Sequence, residues 1–194
     1  MDNATTWLVL LAFLALAGVF VVWRKKIGGR PVPDPLKPGQ PLPVFHAVDE
    51  DGNRVGSADL AGSPTIMLFV RGTWCPFCSR QVADLTKAYK EITDAGAKLI
   101  LVTPKPLETT RRVADLFGVE FDFWLDESLA VAKRLGLLLE SGVPDEQRGT
   151  YGDDTLWPAS LVIDENGIVQ FSEVSKILVD RPNPRKLLNV VRKL

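Results

Sequence analysis

The stretch Thr65-Ile66-Met67-Leu68-Phe69-Val70-Arg71-Gly72-Thr73-Trp74-Cys75-Pro76-Phe77-Cys78 decides the fold. Its first six residues form a continuous apolar run, as expected of a central strand buried on both faces. Ser79 to Thr93 then carries apolar residues at Val82, Leu85, Ala88 and Ile92, at helical spacing. The only two cysteines of the chain therefore sit where a strand turns into a helix. The first turn of a helix offers unpaired N–H groups and a positive dipole end, and both stabilise a thiolate. Thiolate is the nucleophile of disulfide exchange, so such a site is suited to redox chemistry. Two intervening residues let the second thiol reach the first sulfur. The reading requires that the two thiols be accessible and able to bridge.

Cys-x-x-Cys has two other uses. A zinc site needs about four ligands, and the chain has no third cysteine and one histidine, His46. An incidental pair would rarely fall at a strand-to-helix junction. Neither metal nor cofactor is expected.

The chain has 194 residues and a net charge of −1, which fits one globular domain plus an appendage and gives no sign of a nucleic-acid partner. The appendage is N-terminal. Trp7 to Trp23 contains no charged residue, and with Ala4, Thr5 and Thr6 it is long enough to cross a hydrocarbon core of about 30 Å. Trp7 and Trp23 stand where indoles favour the interface. Residues 1–27 read as a transmembrane anchor, with residues 5–23 in the bilayer of the inner (cytoplasmic) membrane. A cleaved signal would want positive charge before the apolar run, where Asp2 is the only charge. A buried helix was the third alternative. Arg24, Lys25, Lys26 and Arg30 follow the run, and this bias places the C-terminal domain in the cytoplasm.

Residues 28–43 carry prolines at 31, 33, 35, 38, 41 and 43. That composition reads as a semi-rigid extended tether without helix or sheet. Residues 44–194 read as the domain. Strands are expected at Val44–Val48, Ile66–Val70, Lys98–Thr103, Phe121–Leu125, Ala159–Asp164 and Ile168–Phe171, with a short return strand at Arg54–Val55. Helices are expected after Cys78, at Leu107–Phe117, at Ser128–Leu135 and at Pro184–Lys193. Leu137 to Asp154 reads as an insertion or loop. Alternating strands and helices imply an α/β sheet with an antiparallel hairpin at its edge.

From Leu42 to the end the chain resembles the thioredoxin-like superfamily, in its AhpC/TSA–redoxin branch. The resemblance rests on Phe45…Asp49-Glu50-Asp51-Gly52 with Leu60-Ala61-Gly62-Ser63-Pro64, on the Trp74-Cys75-Pro76-Phe77-Cys78 site, and on Trp157-Pro158-Ala159-Ser160-Leu161-Val162-Ile163-Asp164-Glu165-Asn166-Gly167. It implies a thioredoxin-like fold with a central mixed sheet flanked by helices. It also implies that Cys75 attacks and Cys78 resolves. In this family the proline at the position of Pro158 is usually cis and faces the disulfide. Such a bond leaves the backbone of Trp157 free to pair with a substrate peptide. Anchored domains of this kind are more often met outside the inner membrane, against the charge bias.

Peroxiredoxins share the fold, with a Thr three positions before the cysteine and an Arg from a later strand. Here Gly72 takes the first position, Pro158 falls near the second, and Thr73 is one residue closer. Arg71 resembles the Arg-Gly-x-Trp-Cys-Pro form of some peroxiredoxin-like redoxins. Its guanidinium either lowers the Cys75 pKa and binds a substrate oxygen, or points to solvent or to an acid. Phe77 brings no charge to the pair, which suggests a reducing to intermediate potential. The leading expectation is an oxidoreductase for thiol–disulfide exchange, with Trp74, Pro76, Trp157 and Pro158 shaping its docking surface. The alternatives are a thiol peroxidase and a tethered binding module. The partners expected are a protein disulfide or a peroxide, together with a thiol electron donor. Lys105, Arg111, Arg112, Arg181, Arg185, Lys186, Arg192 and Lys193 read as solvated surface charge.

Overall fold

The computed structural model describes residues 7, 12–19, 30–105, 121–176 and 178–194. Most of the apolar N-terminal run, the basic residues after it, and the helix expected at Leu107–Phe117 lie outside these. Residues 12–19 are helical. Among the described residues no helix is long and apolar enough to cross a membrane.

The sheet is built around the apolar runs. Strands β1 (His46–Asp49), β2 (Arg54–Gly56), β3 (Thr65–Phe69), β4 (Lys98–Thr103), β5 (Asp122–Leu125), β8 (Ala159–Ile163) and β9 (Val169–Val174) join in the order β2-β1-β5-β4-β3-β8-β9. β3, β4 and β5 are parallel, whereas β8 runs antiparallel to β3 and β9 antiparallel to β8. Every residue of β3 and β8 is buried. Alternation along β3 sends Met67 and Phe69 to one face and Ile66 and Leu68 to the other. Both faces are covered, so the strand reads as an unbroken apolar run.

Helices α1 (Pro76–Asp94) and α4 (Pro184–Val191) cover the second face, burying Val82, Leu85, Leu187 and Leu188. Helix α2 (Ala130–Arg134) covers the first face with a small hairpin of β6 (Leu138–Leu139) and β7 (Thr155–Leu156). Between the two hairpin strands lies the short helix α3 (Arg148–Tyr151). Leu137 to Asp154 is thus a folded unit rather than an irregular loop. Asp126 fastens α2 by accepting from the N–H groups of Val131 and Ala132 at 3.0 and 2.8 Å.

The proline-rich segment differs most from its expected form. It lies on the first face and packs into the core. Leu36 is 0% exposed and Leu42 is buried. Asp34–Leu36 forms a 3-10 turn, Pro41 bridges Ile168, and the Gly39 N–H donates to the Val169 carbonyl at 2.7 Å. Proline forbids regular ladders, but Leu36 and Leu42 bring apolar surface that water disfavours.

Candidate active site

β3 delivers the chain to the site, and α1 begins there. Cys75 is the N-cap of α1, with Pro76 at the first helical position, where its missing N–H costs nothing. The Cys78 N–H donates to Cys75 Sγ at 3.3 Å. Both cysteines carry free thiols, and both are buried, at 1% and 2% exposure. Accessibility was expected of this pair. The reduced site instead hides its sulfurs beneath surrounding side chains.

Arg181 is the residue that the sequence left on the surface. It precedes α4, and its Nη2 donates to Cys78 Sγ at 3.2 Å and to Cys75 Sγ at 3.7 Å. Its Nη1 donates to Ser175 Oγ and to the carbonyls of Leu178 and Asp180. The turn that aims it is tightly made. Leu178 holds a left-handed φ of 62°, and the Asp180 carboxylate accepts from the Lys176 N–H.

Arg71 is buried, at 8% exposure. It donates to the Gly142 carbonyl and stacks over Trp74, 4.3 Å from the ring centroid. Tyr151 meets Trp74 edge to face, at 6.2 Å between centroids, and its hydroxyl pairs with Thr73 Oγ1 at 3.0 Å. The hairpin insertion therefore braces the strand-to-helix turn. Gly72 allows this close approach. Its φ is +130°, and a Cβ there would lie 2.7 Å from Tyr151 Cε1.

These contacts sort the two thiols. Cys75 is pulled down to about 6. The hydrogen bond from the Cys78 thiol contributes most, then the Cys78 N–H, then the charges of Arg181 and Arg71, while burial opposes them. Cys78 is pushed up strongly by that same hydrogen bond, by burial and by repulsion from a Cys75 thiolate. Cys75 is thus the thiol that ionises first, and Cys78 keeps its proton while Cys75 is charged.

The remaining sequence candidates are dispersed. Pro76 and Thr73 are exposed at the mouth. Trp157 lies at the same end of the sheet, because Ala159 at the start of β8 pairs with Phe69 at the end of β3. Trp157 packs on the first-face core under the Arg30 guanidinium, 5.3 Å from its ring. Among the described residues no peptide bond is cis, so Pro158 differs from the expected form. The Trp157 N–H is not free either. It donates to the Leu137 carbonyl at 2.6 Å, drawn in by the adjacent hairpin. A groove of about 320 Å³ lies beside the thiols, lined by Phe77, Arg80, Gln81, Val179, Arg181 and Asn183 among others. Sequence reasoning missed Arg181, Tyr151 and Gly142. Their places depend on two turns distant in the chain, and no local pattern marks them.

With this geometry in hand, comparison with known proteins is informative. Residues 38–172 match the model of the AhpC/TSA family. The chain belongs to that family. Among AhpC/TSA relatives, a putative peroxiredoxin of Mycobacterium tuberculosis is 28% identical over 134 residues, covering 68% of this chain and 81% of its own. Peroxiredoxin Bcp of Escherichia coli is 26% identical over 137 residues, covering 71% and 85%. The thiol-disulfide oxidoreductase ResA of Halalkalibacterium halodurans is 29% identical over 100 residues, about half of each chain. In fold, the chain is similar to peroxidoxin BcpB of Mycobacterium tuberculosis, with a TM-score of 0.65 at 17% identity over 82% of this chain and 98% of that one. The fold is thioredoxin-like, and the protein is an oxidoreductase.

Proposed function

We propose that this protein is a thiol peroxidase anchored in the inner membrane by residues 5–23. The observation that carries the reading is a Cys75 thiol only 1% exposed yet flanked by the Arg181 and Arg71 guanidinia. The smaller the oxidant, the less of this cover has to move, which favours a hydroperoxide over a protein disulfide.

In the proposed cycle the Cys75 thiolate attacks the distal peroxide oxygen. An S–O bond forms, the O–O bond breaks, and the leaving alkoxide or hydroxide takes a proton. The guanidinia lie where that developing charge needs donors. Cys75 is now a sulfenic acid and neutral, so the main influence holding the Cys78 proton disappears. Cys78 loses that proton and attacks Cys75 Sγ, the S–O bond breaks, and water leaves. An external dithiol then reduces the disulfide by exchange.

Thiol–disulfide exchange is the second reading, supported by the Cys-Pro-Phe-Cys spacing and by exposed Pro76 and Phe77 at the mouth. One experiment separates the two. The reduced full chain in detergent is mixed with hydrogen peroxide in a stopped-flow instrument, and the Cys78→Ser variant is trapped with dimedone. Rapid oxidation and a dimedone adduct on Cys75 are expected. Oxidation no faster than that of a free thiol, with rapid reduction of insulin, would overturn the peroxidase.

The anchor is supported by the uncharged run itself and by the helical turns at 12–19. Phe13, Leu14, Leu16 and Val19 there are at least 65% exposed, with nothing of the domain covering them. We place the domain on the cytoplasmic side, on the charge bias of Arg24, Lys25, Lys26 and Arg30. A reporter enzyme fused after Leu194 and active only outside the membrane would reverse that placement.

A further inference from the structure

We infer that the catalytic end of the sheet is held against an anionic lipid surface, with Arg30, Lys133 and Arg134 at the contact. The inference rests on the proposed anchor, and it follows from the course of the proline-rich strap.

The strap enters the domain at Arg30. Its guanidinium donates to the Gly136 carbonyl at 2.8 Å and stacks over Trp157. Trp157 stands two residues before β8, at the end of the sheet where β3 runs out toward Cys75. From there the strap crosses the first face and leaves it at the opposite end. There Gly39 and Leu42 bond to Val169 and Gly167, and Pro41 bridges Ile168. The chain therefore comes in from the N-terminal side at the catalytic end.

Length then limits where the domain stands. A free spacer over residues 28–43 would reach about 50 Å. With the strap docked, only residues 24–29 separate Trp23 from Arg30, a span of at most about 25 Å. The two faces also differ. α1 and α4 cover the second face, so Arg185, Arg192 and Lys193 lie on the side away from the strap. On the strap side, Lys133 and Arg134 are exposed in the last turn of α2, just before the Gly136 that Arg30 grips. No Asp or Glu occurs from Ser128 to Leu139. A short leash and a basic corner, flanked by Glu127 and Glu140 and with nearby Asp34 paired to Lys37, suit an anionic headgroup plane. The thiol site then works at the lipid–water interface, and its reactants arrive there.

The test uses the full chain reconstituted in vesicles of phosphatidylglycerol and phosphatidylethanolamine. A photocrosslinking residue replaces either Lys133 or Arg192. Lipid adducts at position 133, with none above background at 192, are expected. Those adducts are lost when a long Gly/Ser segment is inserted between Ile27 and Gly28 in an Arg30→Ala chain. Equal crosslinking at both positions, or none at 133 in chain that has inserted, overturns the inference and leaves the anchor standing. Chain that fails to float with the vesicles at all removes the anchor and the inference together.

Discussion

Arg181 and Cys78 are 103 positions apart in sequence, yet the guanidinium donates to the thiol sulfur at 3.2 Å. The same nitrogen reaches Cys75 Sγ at 3.7 Å, so one cation serves both sulfurs. Its influence on the Cys75 thiolate outranks that of Arg71. Arg181→Ala should raise the Cys75 pKa from about 6 by on the order of one unit, and Arg71→Ala should raise it less. The check is the rate of monobromobimane alkylation against pH in the Cys78→Ser background. A midpoint that stays put in Arg181→Ala would sink the role given to this residue.

Stability should follow the same pair of thiols. The folded Cys75 pKa of about 6 lies below its ordinary value of 9.0, and that of Cys78 lies above its own. Between these values the unfolded reduced chain binds more protons at Cys75 than the folded one. Stability of the reduced protein therefore rises with pH from about 6 to about 9, by something of the order of 4 kcal/mol. Above about 9 the sign reverses, because unfolded Cys78 ionises while folded Cys78 keeps its proton. A Cys75–Cys78 disulfide removes both contributions. Urea unfolding of the reduced and oxidised forms across this range measures the difference. Parallel profiles would show that the thiols do not titrate as described.

What was legible in the sequence was local. The runs at Ile66–Val70 and Lys98–Thr103 read as central strands and Ala159–Asp164 as a strand, and all three stand inside the sheet with buried faces. Cys75 and Cys78 could be placed at a helix start because strand, turn and helix are contiguous. Arg181 could not, since its aim depends on the left-handed Leu178 and on Asp180 closing the turn. Proline spacing in the strap reports extension and says nothing about docking. The signal for docking was Leu36 and Leu42, two apolar residues spaced along a segment otherwise suited to water.

Gly72 tests the bracing of the site by the hairpin insertion. An alanine there meets a backbone at φ +130° and places its Cβ 2.7 Å from Tyr151 Cε1. The two penalties have separate origins, one in the backbone and one in packing. Gly72→Ala should cost about 2 kcal/mol or more, from backbone strain and overpacking together. In a Tyr151→Ala background the packing part is relieved and the backbone part remains. The double-mutant cycle by urea unfolding should give a coupling above about 0.5 kcal/mol. Strict additivity would mean that Tyr151 does not press on this turn.

Leu36 distinguishes a docked strap from a loose tether. It is fully buried in the first-face core, although only a 3-10 turn of three residues holds it there. Truncating a buried leucine removes transfer energy and leaves a cavity, so Leu36→Ala should destabilise the domain by about 3 kcal/mol. Val44, just past the strap and 67% exposed, provides the contrast, and Val44→Ala should stay within about 0.5 kcal/mol. Loosening the strap also frees the amides that dock it. Leu36→Ala should therefore speed hydrogen exchange at the Gly39 and Leu42 amides, which donate to the Val169 and Gly167 carbonyls while the strap is docked. Equal stability of the two variants, with unchanged exchange at these amides, would mean that the proline-rich segment hangs free and that the sheet carries its own core without it.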